Sequence, residues 1–252
     1  MNTFTAVVKF ISIPDIRYAG DNQTAVIKPT IELLAPYGSG DTFTISSVAW
    51  GKVAEQLSKM DDGLIAFVTG QLNVLKVDRD GFKESIASFK ITRIITTLDR
   101  MVDFNELSVL GNVGQDVDVR YFDSGKNKSG FSLAVRRSRE ETDWFPIELW
   151  GDTAKIAEKY VEKGSKVGVV GHLKLDSWTD KNTGEVRTKP VIVGDRITLA
   201  GRNQDQSVGE TTQYEYQHEP LAKSQKAPSS STIAQSRHDT QGDEPDFDDI
   251  PF

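Results

Sequence analysis

The sequence predicts an all-β chain with one short helix per domain: two tandem five-stranded barrels, then a disordered acidic tail. Three observations carry this reading. Trp50-Gly51 recurs as Trp150-Gly151, and the segments around the two pairs run in the same order. Each copy strings short β-rich runs around a single helical stretch. From Gly201 the composition shifts to Gln, Ser, Thr and Pro, and no apolar period survives.

The repeat extends well beyond the Trp-Gly pairs. Upstream, Thr5 to Tyr18 lines up with Ser108 to Tyr121, and both end in Arg-Tyr. Downstream, Gly63 and Gly70 match Gly164 and Gly171. A period of about one hundred residues is too long for a solenoid unit and suits a duplicated small domain. In the second copy, Leu107 to Val113, Phe131 to Val135, Trp144 to Trp150, Val167 to Leu175 and Arg187 to Leu199 read as strands. They are rich in β-branched and aromatic residues and are broken by Gly, Asn and Asp. A helix is expected near Asp152 to Val161, with Ile156, Ala157, Tyr160 and Val161 as its apolar stripe and Gly164 at its C-terminal end. The first copy has the same order, with Val53, Leu57 and Met60 on its helix. One helix between the third and fourth of five strands describes an OB-fold, a partly open Greek-key barrel that commonly binds oligonucleotides. SH3-like and other small barrels fit the same pattern.

The chain therefore divides into a barrel over residues 1–100, a second over 101–200, a linker over 201–243 and a tip over 244–252, with Asp99 to Asp103 joining the barrels. The linker is expected to be disordered, because it cannot bury enough apolar surface to offset chain entropy. Tyr18 and Tyr121 are expected to pack on the barrels. Gly38, Gly40, Gly111 and Gly114 are expected in turns, without the spacing of a phosphate loop.

Composition excludes several function classes. There is no Cys, so disulfides and thiolate chemistry are out. Three scattered histidines (His172, His218, His238) make a His-based metal site or triad improbable, and no cofactor is expected. Carboxylate pairs such as Asp61-Asp62 and Glu140-Glu141 read as solvated loop charges, so nothing supports an enzyme. No segment resembles a signal peptide or membrane span, and a cytoplasmic, nucleoid-associated protein is the simplest expectation. The net charge of −7 is concentrated in the tail: from Gly201 to Phe252 four Lys/Arg stand against ten Asp/Glu. Residues 1–200 are nearly neutral, with 26 basic and 27 acidic groups. Such a body cannot hold nucleic acid by phosphate attraction alone and needs aromatic stacking as well.

Strand parity supplies the rings. Along Trp144 to Trp150, Phe145, Ile147 and Leu149 point to one face, while Trp144, Pro146, Glu148 and Trp150 point to the other. On the next strand His172 and Lys174 share a face that an unbroken strand continues to Trp178. A polar turn from Thr179 to Gly184 then closes a hairpin carrying Lys181, Arg187 and Lys189. Arg136, Arg137 and Arg139 add cations after another strand. Rings interleaved with Lys and Arg suit single strands, since bases stack on the rings and cations follow the phosphates. In the first copy only Trp50 remains; Thr44 and Val77 fall where the second copy has Trp144 and Trp178. A partner-organising scaffold and a binder of single-stranded RNA satisfy the same pattern.

The chain ends in Asp246, Phe247, Asp248, Asp249, Ile250, Pro251 and Phe252. Acidic groups beside a terminal aromatic suit a basic groove with an apolar pocket, as in peptides whose free carboxylate is captured. This tip resembles that of the bacterial single-stranded DNA-binding protein family, with one Asp fewer than the usual pattern. Leu107 to Gly125 and Thr142 to Gly184 resemble the first strand and the centre of that family's domain. The resemblance implies base stacking at Trp144, Trp150 and Trp178. It also implies non-enzymatic single-stranded DNA binding in replication, recombination and repair. It further implies partner recruitment through the tip, and a homodimer presenting four OB-folds. A further family aromatic falls near Arg136 to Arg139, where this chain has arginine.

Overall fold

Period-two burial shapes the strands. The structure, a computed structural model, describes residues 1–202 apart from 39, 80, 81 and 180–183. In the first copy these are β1 (Asn2–Ser12), β2 (Arg17–Ala19), β3 (Thr24–Ile27), β4 (Thr30–Leu34), β5 (Thr42–Trp50), α1 (Lys52–Leu57), β6 (Ile65–Arg79) and β7 (Phe82–Leu98). The second copy holds β8 (Asn105–Val113), β9 (Asp118–Tyr121), β10 (Asn127–Arg136), β11 (Thr142–Trp150), α2 (Gly151–Tyr160), β12 (Ser165–Thr179) and β13 (Val186–Arg202). β10 alternates buried and partly exposed residues over nearly its whole length, as a strand with one core face must.

Each copy closes on itself. In the second, β8 pairs β12, β12 pairs β13, β13 runs parallel to β11, β11 pairs β10, and β10 returns to β8. In the first, β1, β6, β7, β5 and β4 close the same ring, again with one parallel contact, β5 to β7. This strand order, with one helix before the fourth strand, is the OB-fold. Pro29 divides the second strand of the first barrel into β3 and β4, where β10 is continuous. The Pro29 carbonyl accepts the backbone N–H of Ser47 at 3.0 Å and its hydroxyl at 2.8 Å.

The duplicated glycines have duplicated reasons. Gly70 and Gly171 each sit at a register shift between the fourth and fifth strands. A Cβ on Gly70 would lie 2.0 Å from the Lys90 carbonyl oxygen, and one on Gly171 would lie 2.1 Å from that of Val193. Only a residue without a side chain fits there.

Three expectations are corrected. Ile156 and Tyr160 are exposed, and the buried face of α2 is Ala154 and Ala157, with Val161 just beyond it. The helix lies close to the barrel, where the Ser129 hydroxyl donates to the Ala154 carbonyl at 2.8 Å, so small residues face inward. Tyr18 and Tyr121 are 59% and 67% exposed rather than packed; the Tyr121 hydroxyl donates to Glu158 on α2 at 2.5 Å. Gly111 lies inside β8, not in a turn, and a Cβ there would meet the Ala134 carbonyl oxygen at 2.4 Å.

The two barrels share one sheet. β1 pairs antiparallel with β8, from Asn2 opposite Val109 to Ala6 opposite Asn105. Asn105 also accepts the backbone N–H of Leu173 at 2.6 Å, and Asn2 accepts that of Leu72 at 3.2 Å, so each barrel seals its first strand against its fourth in the same way. The linker, apart from its first two residues in β13, and the tip lie outside the described residues. Among the described residues no helix is long and apolar enough to cross a membrane, and no cluster of metal-binding side chains occurs.

Candidate nucleic-acid interface

Register places Trp144, Trp150 and Trp178 of the second barrel on one outer face with Lys128, Arg136, Lys174, Arg187 and Lys189. Across β10 and β11, Lys128 is opposite Trp150, Gly130 opposite Glu148, Ser132 opposite Pro146, Ala134 opposite Trp144 and Arg136 opposite Thr142. Glu148 is level with Val193, and Val193 with His172, so this row crosses four strands. Alternation from His172 puts Lys174, Asp176 and Trp178 on the same side, and alternation from Val193 puts Val191, Lys189 and Arg187 there. Phe145, Ile147 and Leu149 face the core at 0%, 3% and 0% exposure.

The tryptophans remain open to solvent: Trp144, Trp150 and Trp178 are 42%, 40% and 45% exposed. Each is held differently. The ring of Trp144 covers Gly114, where a Cβ would lie 2.3 Å from it. Trp178 stands opposite Arg187 near the end of the β12–β13 hairpin. Trp150 has three supports. Phe122 stacks on it, with centroids 5.8 Å apart and planes 18° from parallel. Lys128 Nζ lies 5.5 Å from its ring centre. Its indole N–H donates to the Glu148 carboxylate at 2.7 Å. Glu148 is 6% exposed, and its charge is compensated by an ion pair with Lys128. A groove of about 290 Å³ runs over this region, with Arg120, Lys128, Pro146, Glu148 and Lys189 in its walls.

The predicted cations divide by what already holds them. Arg136, Arg139 and Lys189 are exposed. Arg137 is engaged 3.5 Å from both Glu141 and Asp143. Asp143 is 1% exposed and accepts the Val74 N–H at 3.2 Å; burial pushes its carboxyl above the usual range against the pull of Arg137. Lys174 hydrogen-bonds Asp176 at 2.8 Å, which raises its own pKa. Arg187 reaches 3.9 Å from Glu84 of the first barrel and 3.9 Å from Glu185. Lys181 lies outside the described residues, as does the tip from Asp246 to Phe252.

Sequence reasoning missed Lys128 and Phe122. Lys128 and Phe122 meet Trp150 only through strand pairing, which no local pattern announces. Glu148 had a signal, a lone carboxylate between two outward tryptophans. Trp50 of the first barrel is 43% exposed, yet its surroundings differ. Val26 stands opposite it where Lys128 stands opposite Trp150, and Val48 occupies the place of Glu148.

The single-strand binding protein family model matches residues 104–200. The "Single-stranded DNA-binding protein 1" of Nostoc sp. is 47% identical over 110 residues, which cover 43% of this chain and 92% of that protein. The protein of the same name from Synechocystis sp. is 43% identical over 114 residues, 44% of this chain and 94% of that protein. Among solved structures, the single-stranded DNA binding protein from Thermus aquaticus superposes with a TM-score of 0.63 at 23% identity, covering 83% of this chain and 97% of that one. The family model falls on the second barrel alone, whereas the likeness of fold extends over both.

Proposed function

This chain belongs to the single-strand binding protein family, and on that premise we propose that it binds single-stranded DNA without sequence preference, mainly through the outer face of the second barrel. The observation that carries the proposal is the single face bearing Trp144, Trp150 and Trp178, all partly exposed, with Lys189 and Lys174 between them. Stacked bases contribute on the order of 1–3 kcal/mol each, enough over several bases for a nearly neutral body to bind tightly. Arg136, Arg139, Lys181, Arg187 and Lys189 follow the phosphates. Trp50 adds a weaker contact in the first barrel. RNA is the second ligand this chemistry admits, because stacking does not read the sugar.

The protein acts without catalysis, in the cytoplasm with the nucleoid, during replication, recombination and repair. Two chains associate to present four OB-folds. The tip, Asp246 to Phe252, recruits partner proteins that offer a basic, apolar groove. The deciding experiment titrates the full chain with oligo-dT and with duplex over a salt series. Strong tryptophan quenching by oligo-dT, weak duplex binding and a shallow salt slope are expected. Equal affinity for duplex, or binding without quenching, refutes the proposal. Removing residues 246–252 spares DNA affinity and abolishes partner capture; loss of DNA affinity refutes that division.

A further inference from the structure

The loop between β4 and β5 carries Tyr37 from the first barrel onto the second barrel's outer face. Its ring meets His172 edge-on, with centroids 4.9 Å apart and planes at 88°, yet Tyr37 is 74% exposed. His172 is in the cross-strand row of Val193 and Glu148, so its backbone stands about 10 Å, two strand spacings, from that of the residue that anchors Trp150. Lys174 is the next residue along the same face. Partial burial raises the Tyr37 hydroxyl above its usual pKa, with Asp195 and Glu148 acting in the same direction and Lys174 against them, which places the phenol among the groups of this face.

Packing stability does not account for this placement. Tyr37 has a φ of 72°, a left-handed conformation unfavourable to a bulky side chain. The loop is held from outside by the Gly38 N–H, which donates to Asp103 at 3.1 Å, and closed within itself by the Ala35 N–H, which donates to the Asp41 carbonyl at 2.8 Å. The ring supplies His172 with no hydrogen bond. Nδ1 meets Asp195 at 3.3 Å, and Nε2 is buried and has no partner among the described residues. A strained, largely exposed aromatic held on this face points to a ligand.

We propose that Tyr37 is a further base-stacking residue, by which the first barrel completes the single-strand site of the second. This inference rests on the function proposed above. The strand runs from Trp150 over Tyr37 towards Trp178, and one base lies on the exposed face of the phenol ring.

The test compares Tyr37→Leu and Tyr37→Phe with the parent full chain, by oligo-dT anisotropy and thermal melting. Tyr37→Phe keeps the ring and binds like the parent. Tyr37→Leu keeps apolar cover on His172, loses the ring, and binds about tenfold more weakly at an unchanged melting temperature. Parent-like binding by Tyr37→Leu overturns the proposal. So does an equal loss in both variants, which would implicate the hydroxyl, or a loss matched by lowered stability, which would make Tyr37 a packing residue. A parent chain that fails to bind oligo-dT refutes the general function instead.

Discussion

Replacing Trp150 by alanine separates a DNA-stacking ring from a structural one. The indole is 40% exposed, so most of its surface already meets protein. Losing the stack on Phe122 costs about 0.5–1.5 kcal/mol and losing the Lys128 contact about 0.5–1 kcal/mol. At roughly 2–4 °C per kcal/mol for a body of this size, melting falls by about 2–10 °C. Binding loses one stacked base, on the order of 1–3 kcal/mol or about 5- to 150-fold. Trp150→Phe removes the N–H donated to Glu148 but keeps a ring, and Glu148 keeps its Lys128 partner. It should therefore bind within about threefold of the parent. Anisotropy with labelled oligo-dT reads both variants without relying on the deleted fluorophore. The salt slope stays constant, because an indole displaces no counterions. Parent-like affinity in Trp150→Ala, with melting lowered, would refute the reasoning and make this ring a structural element.

Other outcomes follow from the same geometry. Lys189→Ala should lower the slope of log affinity against log salt by about 0.7, the value for one phosphate contact on a single strand. Arg137→Ala should leave that slope unchanged, since Arg137 is engaged with Asp143 and Glu141; equal slope changes in the two would contradict the division. Gly171→Ala should destabilise by about 1–3 kcal/mol, because the new methyl meets the Val193 carbonyl, and an unchanged denaturation midpoint would show that the strands yield. Asp143 titrates above its unfolded value, so its contribution to stability is full below the unfolded pKa and is lost as pH rises through the folded one. Asp143→Asn should thus compare more favourably with the parent at pH 7 than at pH 4 in thermal melts; the opposite trend would mean that Arg137 outweighs burial.

The outward tryptophans were legible because strand parity has only two phases, and Phe145, Ile147 and Leu149 fixed the inward one. The paired glycines were legible because duplication repeats a backbone constraint along with the residues that meet it. The phase of α2 was not legible. Ile156 and Tyr160 looked like core by size, but a helix pressed against a barrel turns its alanines inward. Nor was the setting of Trp150, because Lys128 and Phe122 are brought to it by register across β10 and by the turn after β9. Local sequence holds no record of either. Parity did put Glu148 on the outer face, but its burial depends on a lysine twenty residues away.

The duplication has not left two equal sites. Val26 and Val48 replace the lysine and glutamate that steady Trp150, so Trp50 keeps the ring without its electrostatic support. Several contacts that cross between the barrels end on residues of the second barrel's outer face or beside it. The Val74 N–H binds Asp143, Glu84 approaches Arg187, and Tyr37 leans on His172. The first barrel thus contacts the face proposed as the second's binding surface at several points. On the proposed function, that asymmetry lets the duplicated body of residues 1–200 present one stacking surface while its 26 basic and 27 acidic groups nearly cancel. On that same proposal, residues of the first copy outside its lost stacking positions steady the face of the second, and affinity then depends on ring geometry more than on the number of cations.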